Sequence, residues 1–311
     1  MTRAFFLFLS QRPGLRRWME THPSARRLTR RFIAGETLEE GLEACARLAA
    51  EGIHTTLDHL GENVATAEQA AQARETYLNV LDRIAARGLP STVSLKLTHL
   101  GFDLSREMAV EHLRALAARA KSLGSRVEID MEDRRYTEPT VRIAESIGRE
   151  FGGGEFGCVR VAIQAYLYRS AADIDSLNRA KVMVRLCKGA YIEPPEIAIP
   201  HKRDVDRNYV ALMEKLLDPS PQGGTIPGLA THDERMIEAA LAYVNKRGVG
   251  PEQFEFQMLH GIRRDLQRKL VSEGWRVRVY VPWGAEWYRY FMRRLAERPA
   301  NVLFLARNLF R

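Results

Sequence analysis

One pattern recurs along this chain and limits what it can become. A short run rich in valine, isoleucine and leucine ends in polar residues, and a stretch with helical periodicity follows. The runs are IHTTLD (53–58), TVSLKLT (92–98), RVEIDMED (126–133), VRVAIQA (159–165), VMVRLCK (182–188), GLATHD (228–233), FEFQML (254–259) and VRVYVPW (277–283). Between them apolar residues return at the spacing of a helix buried on one side. Arg106 to Lys121, for example, places Met108, Leu113, Leu116 and Ala120 near one face. Ahead of the first run, Thr37 and Glu40 have the spacing of a capping box, which predicts a helix over 38–50 ended by Gly52. Eight strand–helix units predict an α/β fold of the (βα)8 barrel type. An open doubly wound sheet is the competing arrangement. It usually carries a GxGxxG turn after its first strand, and HLGEN (59–63) is not one.

The chain has 311 residues, enough for one large domain or two smaller ones. The expected division is a helical segment over 1–35 and a barrel over 36–311. The formal charge is +8, yet the arginines are scattered and form no long basic block. That argues against a nucleic-acid partner and leaves an Arg-rich surface that favours acidic ligands. Three cysteines, Cys45, Cys158 and Cys187, without a CxxC pair exclude a disulfide scaffold and a zinc site, and they read as small buried hydrophobes. The apolar stretch Ala4 to Leu9 is too short to span a bilayer, and no clear cleavage site follows it. It reads as part of an amphipathic helix of a cytoplasmic protein. The longest irregular segment, 191–204, is proline-rich and long enough to reach over a barrel mouth.

A (βα)8 barrel carries its active site at the C-terminal ends of its strands. That rule selects Asp58, Lys96, Thr98, Asp130 to Asp133, Gln164, Arg185, Lys188, Thr231 to Asp233, Gln257 and Tyr280. A purely structural barrel has no need for so many polar groups at one rim. Lys96 on a covered parallel strand is expected to face a ligand or to pair with Asp130, and a structural buried pair is the plainer alternative. Arg185 and Lys188 bracket RLCKGAY, where a glycine permits close backbone approach. GAY is not a P-loop, so a flavin or another phosphate-bearing cofactor fits better than a nucleoside triphosphate. In THD, His232 and Asp233 are adjacent and point to opposite faces of a strand. With no HxH or HExxH, a metal is not expected, and His232 reads as a hydrogen-bonder to a cofactor. His54, His59 and His99 read as surface or rim residues. After the last run, Arg293 and Arg294 can aim at one carboxylate or phosphate. Equally, Glu297 can pair with them on an exposed helix. Three functions remain open on these residues: a flavin enzyme, a Schiff-base lyase or aldolase using Lys96, and a non-catalytic basic adaptor.

The segments RRFIAGETLEEGLEACARLAAEGIHTTLDHLGE, SLKLTHLG, IDMED, IQAYLYR, VRLCKGAYIEP, LATHD, FEFQMLHG, VRVYVPWG and WYRYFMRRLAERPAN, in this order, resemble the bacterial monofunctional proline dehydrogenases. The resemblance runs from about residue 28 to 305 and rests on nine segments in register. It implies a distorted (βα)8 barrel whose last helix lies over the mouth, with FAD bound non-covalently. It also implies oxidation of L-proline to 1-pyrroline-5-carboxylate by hydride transfer to the flavin N5. Lys96, Arg293 and Arg294 match the family's carboxylate-binding positions, and Tyr280 matches a substrate-contacting tyrosine. Asp130 matches an active-site aspartate, and Arg185 an arginine near the flavin N5. Met131, Gln164, Lys188, Gly189, Ala190, Thr231 and His232 match flavin contacts, and Gln257 joins them at the rim. Trp283 and His260 depart from the family, which often has tyrosine at both places. The family further implies a membrane quinone as electron acceptor, peripheral contact with the inner face of the membrane, and a separate pyrroline-5-carboxylate dehydrogenase as consumer of the product.

Overall fold

A computed structural model describes residue 19 and residues 29–151, 157–218 and 226–297. The expected helix over 1–35 therefore lies outside the described residues, apart from Met19 and 29–35. The helices are α1 (Leu38–Ala50), α2 (Ala67–Ala86), α3 (Arg106–Ser122), α4 (Arg134–Phe151), α5 (Ser170–Arg179), α6 (Lys202–Leu217), α7 (Glu234–Arg247), α8 (Arg264–Ser272) and α9 (Trp287–Glu297). The strands are β1 (His54–His59), β2 (Ser91–Leu95), β3 (Val127–Ile129), β4 (Val159–Gln164), β5 (Met183–Cys187), β6 (Gly228–Ala230), β7 (Glu255–Leu259) and β8 (Val277–Trp283). All pairings are parallel, and the order β1 to β8 closes when β8 pairs with β1.

Local sequence explains the elements. Thr37 accepts from the Glu40 amide while the Glu40 carboxylate accepts from the Thr37 amide, so the capping box that starts α1 is complete. Ser105 caps α3 and Thr66 caps α2 in the same way through their hydroxyls. The buried face of α3 is Ala109, His112, Leu113, Leu116, Ala117 and Ala120. Met108, expected on that face, lies at its half-buried edge.

The two faces of the barrel strands differ sharply. Outward residues such as Leu57, Val93, Leu95, Ile129, Val161, Leu186, Phe256, Val279 and Val281 are buried against the helices and form one continuous core. Each such side chain contributes about 1.5–3 kcal/mol. Inward residues are largely polar. Glu128 of β3 reaches Arg185 of β5, and Arg160 of β4 reaches Glu255 of β7. Strands that are not neighbours in the sheet can meet this way only through the barrel interior. A (βα)8 interior is usually filled with branched apolar layers. This one instead holds Lys96, Arg160, Arg185 and Arg278 against Asp58, Glu128, Asp130 and Glu255.

Helix α9 begins only a few residues after β8. Trp287, Tyr288, Tyr290, Phe291 and Met292 pack with Phe32, Ile33 and Leu60 in a cluster separate from the main core. Leu60 follows β1 at its C-terminal end, so α9 sits at that rim. The Arg294 guanidinium lies near enough to the Cys187 thiol at the end of β5 to favour its thiolate, although burial dominates and pushes that thiol up to about 11. β5 is three strands away from β8 around the barrel, which puts α9 across the mouth.

Candidate active site

Several rim residues sit just beyond their strands. β2 ends at Leu95, and Lys96 then precedes a single 3-10 turn over Leu97–Leu100. β3 ends at Ile129, so Asp130 follows it. The longer runs expected from sequence (92–98 and 126–133) therefore shorten at the mouth, where the backbone stops pairing and side chains converge.

Asp130 is the centre of the arrangement. Its Oδ1 accepts from Arg185 Nη1 at 2.5 Å and from Ser94 Oγ at 2.8 Å. Its Oδ2 accepts from the Tyr280 hydroxyl at 2.6 Å. Lys96 Nζ lies 3.6 Å from Asp130 Oδ2 and 4.0 Å from Asp58 Oδ1. Burial by itself would raise the Asp130 carboxyl, but Lys96, Arg185 and the Tyr280 hydroxyl outweigh it and hold the group below the usual carboxylate range. Burial, with Asp130 next in weight, pushes the Tyr280 phenol well above its ordinary value, so it donates. The expected Lys96–Asp130 pairing is present. Lys96 is held between two carboxylates, which suits a fixed cation better than a free amine nucleophile.

Arg185 has every side of its guanidinium engaged. Nε donates to Gln257 Oε1 at 2.7 Å, Nη2 to Glu128 Oε2 at 2.5 Å, and both Nη atoms approach Ser94 Oγ at 3.4 Å. Its carbon lies 5.3 Å from the Tyr280 ring centre. Burial opposes its charge, but Glu128 and Asp130 raise its pKa further, so it stays protonated. Gln257 spends its amide group on Glu255 at 2.7 Å, so both ends of this side chain face the barrel interior. An added Cβ at Gly228, the β6 partner of Glu255, would stand 2.5 Å from Gln257 Nε2, which explains a glycine there.

The remaining expected cofactor residues line the ends of β4, β5 and β6. Gln164 Oε1 accepts from the Ala190 amide at 3.0 Å, and its Nε2 donates to the Glu132 carbonyl at 3.3 Å. Gly189 has φ of +137°, and a Cβ there would lie 2.4 Å from the Tyr166 ring. Lys188 bridges Asp206 and Asp233, the latter at 2.7 Å. Thr231 Oγ1 accepts from the Asp233 amide at 3.0 Å. His232 Nε2 accepts from the Leu259 amide at 2.9 Å and so ties β6 to β7 with that nitrogen. Met131 is buried beside Asp130. Of the two helix arginines, Arg294 is half-buried with its guanidinium over the Tyr290 ring at 5.1 Å. The side chains of Arg293 and Glu297 lie outside the described residues, so the expected pairing with Glu297 is not placed.

The proline-rich loop after β5 does reach across the rim. Ala198 bridges to Leu167, and Glu193 accepts from the Arg134 amide at 2.9 Å at the start of α4. Of the histidines, His59 ends β1 and His99 lies in the turn after β2, at the rim as expected, whereas His54 starts β1 at the opposite end. His99 is buried and donates or accepts at 3.2 Å with the Tyr77 hydroxyl, and His59 stacks on Trp283 with ring centres 4.4 Å apart. Burial lowers His59 to about 4; burial, then His59 and Lys96, lower His99 to about 3, so both are neutral wall residues rather than surface groups. His54 is half-buried near Arg278, and burial followed by that charge lowers it to about 4. No group of three or more His, Cys, Asp or Glu among the described residues could hold a metal.

Glu128, Arg160, Glu255 and Arg278 belong to the site's foundation and escape a reading confined to strand ends. A period of two would have found them: Arg160 stands four before Gln164 on β4, and the other three stand two before a rim residue. Glu128 stands two before Asp130, Glu255 two before Gln257 and Arg278 two before Tyr280, so each points the same way as its rim partner.

A flavin fits this rim on the chemistry of its groups. The Gln164 amide, Thr231, the side-chain-free Gly189 and the Lys188 and Arg185 cations occupy one arc of neighbouring strands. Arg185 and Lys188 offer charge more than uncommitted N–H groups, because their hydrogen bonds go to carboxylates and to the Gln257 amide oxygen.

The proline dehydrogenase family model matches residues 41–307. Proline dehydrogenase 1 of Bacillus subtilis (strain 168) is 42% identical over 311 residues, covering all of both chains. The proline dehydrogenase of Deinococcus radiodurans is 38% identical over 287 residues, covering 91% of this chain and 90% of its own. The crystal structure of proline utilization A from Bdellovibrio bacteriovorus, inactivated by N-propargylglycine, superposes with a TM-score of 0.80 at 26% identity. It covers 87% of this chain, which spans 32% of that longer protein. The lyase alternative finds no support among these matches. The reaction is the oxidation of proline, the first step of proline catabolism, and the chain belongs to the proline dehydrogenase family.

Proposed function

We propose that the barrel mouth binds L-proline by its carboxylate between Lys96 and the Arg293–Arg294 pair of α9, with FAD along the ends of β4 to β6. The observation that carries this reading is the convergence of Lys96, Tyr280, Arg185 and Asp130 under a helix that brings Arg294 across the mouth.

Forming the C=N bond of 1-pyrroline-5-carboxylate requires loss of a hydride from C5 of proline and of the proton on its nitrogen. A bound flavin supplies the two-electron acceptor. The chain's residues do the rest. Lys96 and Arg294 hold the carboxylate, and the fork of an arginine fixes its direction as well as its charge. Asp130 does not compete for that role. Its oxygens are taken by Arg185, Ser94 and Tyr280, and it orients Tyr280 and Lys96 toward the ligand. Cations at the mouth disfavour a protonated amine nearby and ease loss of its proton. Arg185, held protonated by Glu128 and Asp130, would offset negative charge developing on a reduced acceptor bound beside it.

Electrons then pass to a quinone, with peripheral contact at the membrane surface and a pyrroline-5-carboxylate dehydrogenase to consume the product. Family membership supports these last readings. No described helix is long and apolar enough to cross a membrane. Sedimentation with anionic lipid vesicles at low and high salt tests the contact, and absence of salt-sensitive binding removes it.

The decisive experiment is anaerobic single-turnover mixing of the flavin-loaded protein with L-proline. Bleaching of the oxidised flavin by L-proline, and much slower bleaching by D-proline, is expected. A protein that carries no flavin, or a flavin that L-proline leaves oxidised, overturns the reading.

A further inference from the structure

Glu132 lies at the mouth and has no part in the chemistry above. It is buried, directly follows the Asp130–Met131 pair, and its carboxylate points toward Thr98. Thr98 donates to it twice, from Oγ1 to Oε2 at 2.8 Å and from the backbone amide to Oε1 at 3.3 Å. Thr98 belongs to the short turn that Lys96 opens, and the Lys96 carbonyl accepts from the His99 amide at 3.1 Å in that turn. On its other side, the Glu132 carbonyl accepts from Gln164, whose oxygen accepts from Ala190. The Thr98 carbonyl accepts from the Val64 amide at 3.4 Å. One hydrogen-bonded belt therefore joins the ends of five consecutive strands, from the loop after β1 to the glycine loop after β5. Glu132 is the ionisable member at its centre.

We propose that Glu132 is a positioning residue for the proline carboxylate site: its ionised carboxylate clasps the Thr98 turn and so fixes Lys96 relative to the Gln164–Ala190 edge. Lys96 stands two residues before Thr98, and with a long side chain it needs a rigid backbone to keep its ammonium at one point. The carboxylate can accept both Thr98 donors only when ionised. Once protonated, one oxygen becomes a donor and one of the two bonds weakens. The groups facing Glu132 are Lys96, which favours its ionised form, and Glu62 in the loop after β1, which opposes it. On α4, Tyr136 is turned to Asp103 and feels the Glu132 charge. Burial is the largest influence and lifts the Glu132 carboxyl to about 7, so the clasp changes state in the neutral range. The sign follows: affinity for the carboxylate is full above that pH and falls as Glu132 takes up its proton.

The inference rests on the reading of Lys96 as a carboxylate binder. Its test uses the flavin-loaded protein and a competitive ring analogue of proline that has the carboxylate but no amine, so that amine titration drops out. The parent is expected to show an inhibition constant that rises about fivefold between pH 8 and pH 6. Glu132→Gln should give a constant near the parent's low-pH value at every pH, with the maximal rate of flavin reduction within about twofold of the parent. Thr98→Val should show a similar loss of affinity, and Thr98→Ser, which keeps the hydroxyl, should restore it. Lys96→Ala reports separately on the underlying reading, because an unchanged inhibition constant there removes Lys96 from the carboxylate site whatever Glu132 does. A Glu132→Gln protein that keeps the parent's pH inflection overturns the proposal. So does a parent whose affinity rises on acidification, since that sign belongs to simple repulsion between Glu132 and the ligand carboxylate. If Glu132→Gln loses flavin, the Thr98 pair decides: equal affinity in the valine and serine variants overturns the clasp.

Discussion

Replacing Glu128 by glutamine perturbs the polar interior at its hub. The carboxylate is fully buried and accepts from Thr92 at 2.7 Å, Thr56 at 3.1 Å and Arg160 at 3.3 Å on one oxygen, and from Arg185 at 2.5 Å on the other. Glutamine keeps one acceptor but turns an N–H2 toward a guanidinium and leaves the four interior cations, Lys96, Arg160, Arg185 and Arg278, with the three carboxylates of Asp58, Asp130 and Glu255. Removing one partner of a buried pair costs about 3–5 kcal/mol, chiefly because the other charge stays buried. The assay is equilibrium urea unfolding followed by far-ultraviolet circular dichroism, with Arg142→Ala as control. Arg142 pairs with Glu138 one helical turn away on an exposed face, and its loss should cost less than about 0.5 kcal/mol. The pH dependence carries a sign. Burial opposes ionisation of Glu128, but Arg160, Arg185 and Arg278 hold it well below the usual carboxylate range. Its contribution is thus present above the ordinary glutamate value and is lost only as pH falls through the lower folded value. The gap between parent and variant should persist at pH 5. A Glu128→Gln protein within about 1 kcal/mol of the parent would refute the view that this interior is held by charge pairing.

Other perturbations separate the site's parts. Arg294→Lys should raise the KM for proline by about tenfold or more, since an ammonium cannot reproduce the fork, and steady-state kinetics at fixed acceptor concentration read it directly. Gly189→Ala places a methyl 2.4 Å from the Tyr166 ring at φ of +137°, so flavin retention on gel filtration should drop and stability should fall by about 2 kcal/mol or more. Glu132 carries the opposite linkage to Glu128. With its carboxyl raised by burial to about 7, the stability it contributes is full below the ordinary glutamate value and is lost as pH rises through 7. Relative to the parent, Glu132→Gln should gain on the order of 2–3 kcal/mol between pH 5 and pH 8, and matched urea curves at the two values check it.

Sequence alone determined the architecture and most of the rim. Eight strand-like runs separated by one-sided helical stretches admit few folds, because parallel strands require crossovers and apolar faces require cover. The capping box at Thr37 and Glu40 fixed the start of α1 through contacts only three residues apart. Lys96, Asp130, Arg185 and Tyr280 were legible because strand ends are where such a barrel places chemistry, and the structure brings these four together. What tertiary structure decided was the interior. Whether Arg160 meets Glu255 or water depends on strands four and seven facing each other across a closed sheet, and nothing within either run states that. The same holds for His99, polar by type but walled in by Tyr77 and Gly61, and for Gln257, whose amide is turned inward to Arg185. Local periodicity says which way a side chain points. Only closure of the barrel says what it finds there, and so which charges are paired, which stay ionised and which titrate near neutrality.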